Sequence, residues 1–183
     1  MVLPPHIDLK SPNAKSDIIA SITHTLNPMF LVTVPSLSNK LHPLINDIKE
    51  NQKSRIESGE RLGPHCDGNF VTLLWATSSG LQVPRDNGCI SSTQVKSIGL
   101  PSLSAAEEGQ GREMTDSDWD TVQTTSPDDV IVTIGNEWIR RDLHPDINKD
   151  VWCPVLHRVK NGGGERWSVP FLCALESDEG AAG

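Results

Sequence analysis

The 183-residue chain contains no tyrosine, and with three Phe and five Trp its aromatic content is only 4%. A core must therefore be built mainly from aliphatic side chains, and it can serve one modest domain. Basic residues are also scarce. Sixteen Lys and Arg stand against 24 Asp and Glu, a formal charge of −8 with no basic cluster. That argues against nucleic acid or an anionic membrane surface as a partner, since both need concentrated positive charge. No apolar run approaches the roughly 18 residues that span a bilayer, and the N-terminus lacks the basic start and small-residue cleavage site of a secretory signal. The four cysteines (Cys66, Cys89, Cys153 and Cys173) show no CxxC spacing, which speaks against a zinc ribbon or a disulfide framework. Each reads as a small buried apolar residue in a reduced, cytoplasmic protein.

What is present begins with helices. Residues 6–34 read as a short strand, a helix capped by Ser16 or Asp17, and a second strand over 29–34. Leu41, Leu44, Ile45 and Ile48 repeat at helical spacing, with Pro43 expected near the start of that helix. From His65 the pattern becomes β. Residues 70–75, 80–83, 130–134, 154–159 and 166–175 are strand-length runs separated by turn residues. In the last of these Trp167, Val169, Phe171 and Cys173 share one face, with Arg166 and Ser168 on the other. The polar stretch at 88–118 has no periodicity and reads as a surface insertion. The expected organisation is an N-terminal strand and helix segment at 1–58, a mainly β domain at 59–175, and a disordered tail at 176–183.

The chemistry-bearing pattern starts at His65-Cys66-Asp67. On an extended backbone residues i and i+2 point the same way, so imidazole and carboxylate can grip one ion while Cys66 faces away. A histidine from another strand would complete a facial triad and leave three octahedral positions open. His157 is the best candidate. His144, in a loop before Pro145, is the rival. Nine residues after His157, Arg166 and Ser168 offer a guanidinium and a hydroxyl for a carboxylate. Each feature alone is weak; their order gives them weight.

That order resembles the 2-oxoglutarate/Fe(II)-dependent dioxygenase superfamily, in the branch that includes isopenicillin N synthase. The matching blocks are His65-Cys66-Asp67, Val71-Thr72-Leu73-Leu74-Trp75, Gly80-Leu81-Gln82-Val83, and Val130-Ile131-Val132-Thr133-Ile134-Gly135-Asn136. They continue with Leu156-His157-Arg158-Val159 and Arg166-Trp167-Ser168-Val169-Pro170-Phe171. The resemblance implies a mainly β fold with N-terminal helices, a distorted double-stranded β-helix (jelly roll). It implies His65, Asp67 and His157 as ligands of Fe(2+), and Arg166 and Ser168 as the holders of the far carboxylate of 2-oxoglutarate. Dioxygen and a small organic molecule, of the kind found in specialised metabolism, would be the other reactants. Hydroxylation, desaturation or cyclisation would be the outcome.

The chain departs from the family in its middle. About thirty residues separate the strand ending near Val34 from His65, where relatives have well over a hundred, including a tyrosine that helps bind 2-oxoglutarate. The jelly roll is therefore expected to be incomplete, with an open sheet edge. Two further readings follow. One is an iron oxidase that uses no 2-oxoglutarate, in which Arg166 and Ser168 bind a substrate carboxylate. The other is an inactive remnant that pairs with a full-length relative. Trp75, Trp138 and Trp152 read as core or pocket wall.

Overall fold

The computed structural model describes residues 3–23, 29–51, 62–85, 114–137, 154–160 and 165–174. They form mostly β structure, in two four-stranded antiparallel sheets with two helices on the N-terminal side. The first sheet has the order β1 (Met29–Thr33), β6 (Asp129–Ile134), β3 (Val71–Ala76), β8 (Ser168–Cys173). The second has the order β2 (Leu62–His65), β7 (His157–Val159), β4 (Leu81–Pro84), β5 (Trp119–Thr121).

Strand β6 lies between β1 and β3, and every one of its six residues is buried. Its run of β-branched side chains suits a strand covered on both faces. Ile131 joins Met29 and Leu31 of β1, Leu81 and Val83 of β4, and Val155 and Val159 in the layer between the sheets. On the opposite face Val130, Val132 and Ile134 pack with Phe30, Val32 and Trp75 under the helices. Burying each such aliphatic chain contributes about 1.5–3 kcal/mol.

Helix α1 (Ala14–Thr23) starts before Ser16 and Asp17, so neither residue caps it. Helix α2 (Leu37–Asn51) carries Pro43 in its interior rather than near its start. Tertiary anchoring overrides the local cost of Pro43. Leu37, Leu41 and Ile45 pack against the core, and Ile45 is only 3% exposed. The Asp128 carboxylate accepts bonds from the backbone N–H groups of Ser36 and Ser38 at 2.9 Å each, capping the helix from a distant loop. Leu44 and Ile48, expected on the apolar face, are exposed.

Strand β8 ends its sheet. The carbonyls of Trp167 and Cys173 accept bonds from Thr77 and Phe70 on the β3 side, so the backbone of Pro170 faces away from β3 and loses no ladder bond there. Trp167 and Val169 pack on the core, whereas Phe171 and Cys173, expected on the same face, are exposed. Two elements escaped the sequence pattern: β2, which contains Gly63 and Pro64, and the three-residue β5. The segment read as an insertion enters described structure at Met114, and a 3-10 turn at Asp116–Asp118 leads into β5. His144, Trp138 and Trp152 lie outside the described residues. No helix among the described residues is long and apolar enough to cross a membrane.

Asp129 locks β1 to β6. Its carboxylate is buried and accepts four bonds, from the Thr33 and Thr125 hydroxyls and the backbone N–H groups of Thr125 and Ser126. Asp129→Ala strands these donors, so unfolding stability is expected to fall by about 2–4 kcal/mol. Urea denaturation checks this. A loss under ~0.5 kcal/mol, the range of an ordinary surface substitution, would contradict it.

Candidate metal centre

The pairing of β2 with β7 brings the two histidines together. His65 and His157 are direct register partners across that antiparallel pair. Their rings lie 4.3 Å apart, centre to centre. Pro64 is tolerated in β2 because the strand is an edge. Each imidazole is oriented through its other nitrogen. Nδ1 of His65 donates to the Gly63 carbonyl at 2.8 Å and Nδ1 of His157 donates to the Val155 carbonyl at 3.0 Å. A carbonyl can only accept, so both Nδ1 atoms carry hydrogen and both Nε2 atoms present lone pairs.

Asp67 completes the group. Its Oδ1 lies 3.6 Å from Nε2 of His65 and 3.6 Å from Nε2 of His157. One donor atom from each of the three residues falls within 4.8 Å of the others. These separations are too long for direct hydrogen bonds. Cis ligands of an octahedral ion sit about 3 Å apart, so a bound metal requires the Asp67 oxygen and each imidazole nitrogen to close by less than an ångström. Two imidazoles and a carboxylate, with both Nε2 lone pairs available, fit a divalent transition metal.

Electrostatics support the same assignment. Association with the Asp67 carboxylate raises the His65 pKa; burial opposes this, while the Gly63 carbonyl adds to it. Burial pushes His157 down despite the Asp67 charge and the Val155 carbonyl, so that imidazole favours its neutral, ligating form. For Asp67 burial acts upward, but His65, the Thr72 hydroxyl and the imidazole charges outweigh it and hold the carboxyl below its usual range. Cys66 points the other way, as the alternation of an extended chain requires, and packs with Trp119 and Leu156. Burial, reinforced by the Asp67 charge, pushes its thiol up to about 12 and keeps it protonated.

The loop after β2 is held by the end of the 130–136 block and by Glu137, a role that the sequence pattern did not show. Asn136 N–H donates to the Asp67 carbonyl at 2.7 Å, Gly135 N–H to Phe70 at 3.0 Å and Glu137 N–H to Asn69 at 3.2 Å. A Cβ on Gly135 would stand 2.0 Å from the Asn69 carbonyl oxygen, so only glycine permits this approach.

No protein-family model matches the chain, and no curated protein does. Among solved structures it is similar to a protein described as a putative oxygenase from Shewanella oneidensis. The TM-score is 0.58 at 11% identity, over 94% of this chain and 90% of that one. The two share a fold. The chain also aligns with a full-length Neurospora crassa protein solved in complex with alpha-KG and 5-formyluracil. There the TM-score is 0.35 at 18% identity over 70% of this chain, which spans only 31% of the Neurospora protein.

Ser168 begins β8, in the sheet other than the one that carries His65 and His157. Ser168 pairs with Ala76, Pro170 with Leu74 and Leu172 with Thr72. Cross-strand partners share a face, so Arg166 and Ser168 belong to the inter-sheet face that also carries Thr72 and Leu74. The Arg166 stem crosses Gly80, whose φ is +142° and whose missing Cβ would come 3.0 Å from Arg166 Cδ. Its Nε donates to the Ser78 carbonyl at 3.1 Å.

Metal binding should depend on pH through His65. The folded protein holds the His65 proton above the ordinary value of 6.5. The protonated His65–Asp67 pair therefore stabilises the metal-free fold at low pH, and this contribution is lost as pH rises through the raised value. A metal must displace that proton. Affinity is expected to climb as pH rises through the His65 range and then level off, with proton release shown by calorimetry in two buffers. A flat profile would contradict the assignment.

Proposed function

We propose that this chain is a non-haem iron(II) oxidoreductase of the dioxygenase type, built on a distorted jelly roll, that couples 2-oxoglutarate decarboxylation to oxidation of a small organic molecule. The observation that carries the reading is the convergence of His65, Asp67 and His157 from β2, its following loop and β7. Two imidazoles and one carboxylate on one side of an octahedral ion are the facial donor set of oxygen-using iron(II) enzymes. When bound, iron(II) would supply the dioxygen chemistry at the positions this triad leaves open.

The chain's own residues then have three tasks. His65, Asp67 and His157 would hold the ion, with the Gly63 and Val155 carbonyls fixing both imidazole tautomers. Arg166 and Ser168 would take the far carboxylate of 2-oxoglutarate, the guanidinium through paired hydrogen bonds. Val155 and Val159, which flank His157 on its own face, join Leu74 and Leu31 in an apolar layer that would keep water from the reacting groups. A reduced cytoplasmic setting and a substrate of specialised metabolism suit this reading.

A second reading is favoured by β8. Ser168 and Leu172 belong to the inter-sheet face yet are exposed, Leu172 by 65%. A chain whose site has such an open wall could be catalytically silent and act as the partner of a full-length relative. An iron oxidase without 2-oxoglutarate is the remaining variant, with Arg166 and Ser168 holding a substrate carboxylate.

Anaerobic addition of iron(II) and 2-oxoglutarate is expected to give a weak visible charge-transfer band. In air, succinate release should follow and fall on the order of 100-fold or more in His65→Ala and Asp67→Ala. Iron binding without a band, and without oxygen uptake, would establish the silent partner instead.

A further inference from the structure

Asp67 offers two oxygens, but the structure treats them differently. Oδ1 faces both imidazole Nε2 atoms at 3.6 Å. Oδ2 accepts a hydrogen bond from the Thr72 hydroxyl at 2.5 Å. That hydroxyl has a defined direction. Asn69 Nδ2 donates to Thr72 Oγ1 at 3.0 Å and to the Val71 carbonyl at 2.6 Å; the Thr72 hydrogen has two acceptors in reach, Asn69 Oδ1 at 3.3 Å and Asp67 Oδ2 at 2.5 Å, and the shorter contact directs it to Asp67. Thr72 itself cannot easily move. It is 4% exposed, lies in the middle of its sheet opposite Thr133 and Leu172, and is β-branched, which stiffens χ1 on a strand. The Asp67 backbone is pinned as well, by the Asn136 N–H. What remains free is the rotation of the carboxylate, and Thr72 fixes it.

We propose that Thr72, oriented by Asn69, is a positioning residue that makes Asp67 a one-oxygen ligand and so keeps a coordination position open on the metal. The proposal rests on the metal-site reading. Without the hydroxyl, the carboxylate can turn both oxygens toward the ion, occupying a position that a reactant needs. The relay also keeps negative charge on Oδ2 satisfied, so that Oδ1 can serve the ion without a buried orphan beside it.

Cobalt(II) serves as the probe, because its visible spectrum changes with the kind and arrangement of its ligands. In the full chain, Thr72→Val is expected to lower cobalt(II) affinity 10- to 100-fold and to shift the visible spectrum of the bound ion, while Thr72→Ser restores both. Asn69→Ala, which leaves the hydroxyl in place but without its orienting donor, is expected to shift both readouts the same way by a smaller amount; it carries the test if Thr72→Val does not fold. Circular dichroism of the metal-free proteins separates folding from ligation. A Thr72→Val or Asn69→Ala protein with wild-type affinity and spectrum would overturn the proposal, as would a Thr72→Ser protein that behaves like Thr72→Val. Wild-type protein that binds no cobalt(II) would instead overturn the metal-site reading itself.

Discussion

The site depends on one register. His65 faces His157 across β2 and β7, and a slip of one residue in that pairing would send one imidazole to the opposite face of the sheet. Inter-sheet packing resists such a slip. Val155 and Val159 flank His157 on its own face and are buried with Leu81 and Val83 of β4, so shifting β7 would expose them together with the histidine. The other face of β7 is anchored independently. Arg158 lies over the Trp119 ring at 4.6 Å, donates to Gln82 at 2.8 Å and reaches Asp116 at 2.6 Å. One short strand thus carries His157 inward and its fastening outward.

Asp67 is held by a different device. It follows β2 in a loop rather than sitting within a strand, so its place comes from the close approach of residues 135–137 at the end of β6. The central, fully buried strand therefore links the hydrophobic core to the site. Asp129 and Asp128 at its start bind β1 and α2, and Gly135 at its end seats the Asp67 loop. Stability and the placement of Asp67 share an element.

Much of this was legible in the sequence because it rests on local periodicity. Alternation at 65–67 placed His65 and Asp67 together with Cys66 opposed, and the β-branched run at 130–134 announced a buried strand. His157 was found through its order relative to the other motifs, and the structure brings it to the pair. Other features have no local signature. Pro43 inside α2 is held by contacts made elsewhere, the cap on that helix comes from Asp128 some ninety residues away, and β5 is too short for a period to show. Thr72 lay within a recognisable strand block, but its bond to Asp67 exists only once the loop has folded back, and Gly135 reads as an ordinary turn residue until Asn69 is placed against it.

The central claim is that these three side chains share an ion. Crystals grown with manganese(II) or anaerobic iron(II), measured for anomalous scattering, test it most directly. The account predicts one strong peak about 2.1 Å from Nε2 of His65, an Asp67 carboxylate oxygen and Nε2 of His157. A structure in which the metal binds elsewhere, or in which the two imidazoles and the carboxylate stand too far apart to reach a common ion, would contradict it.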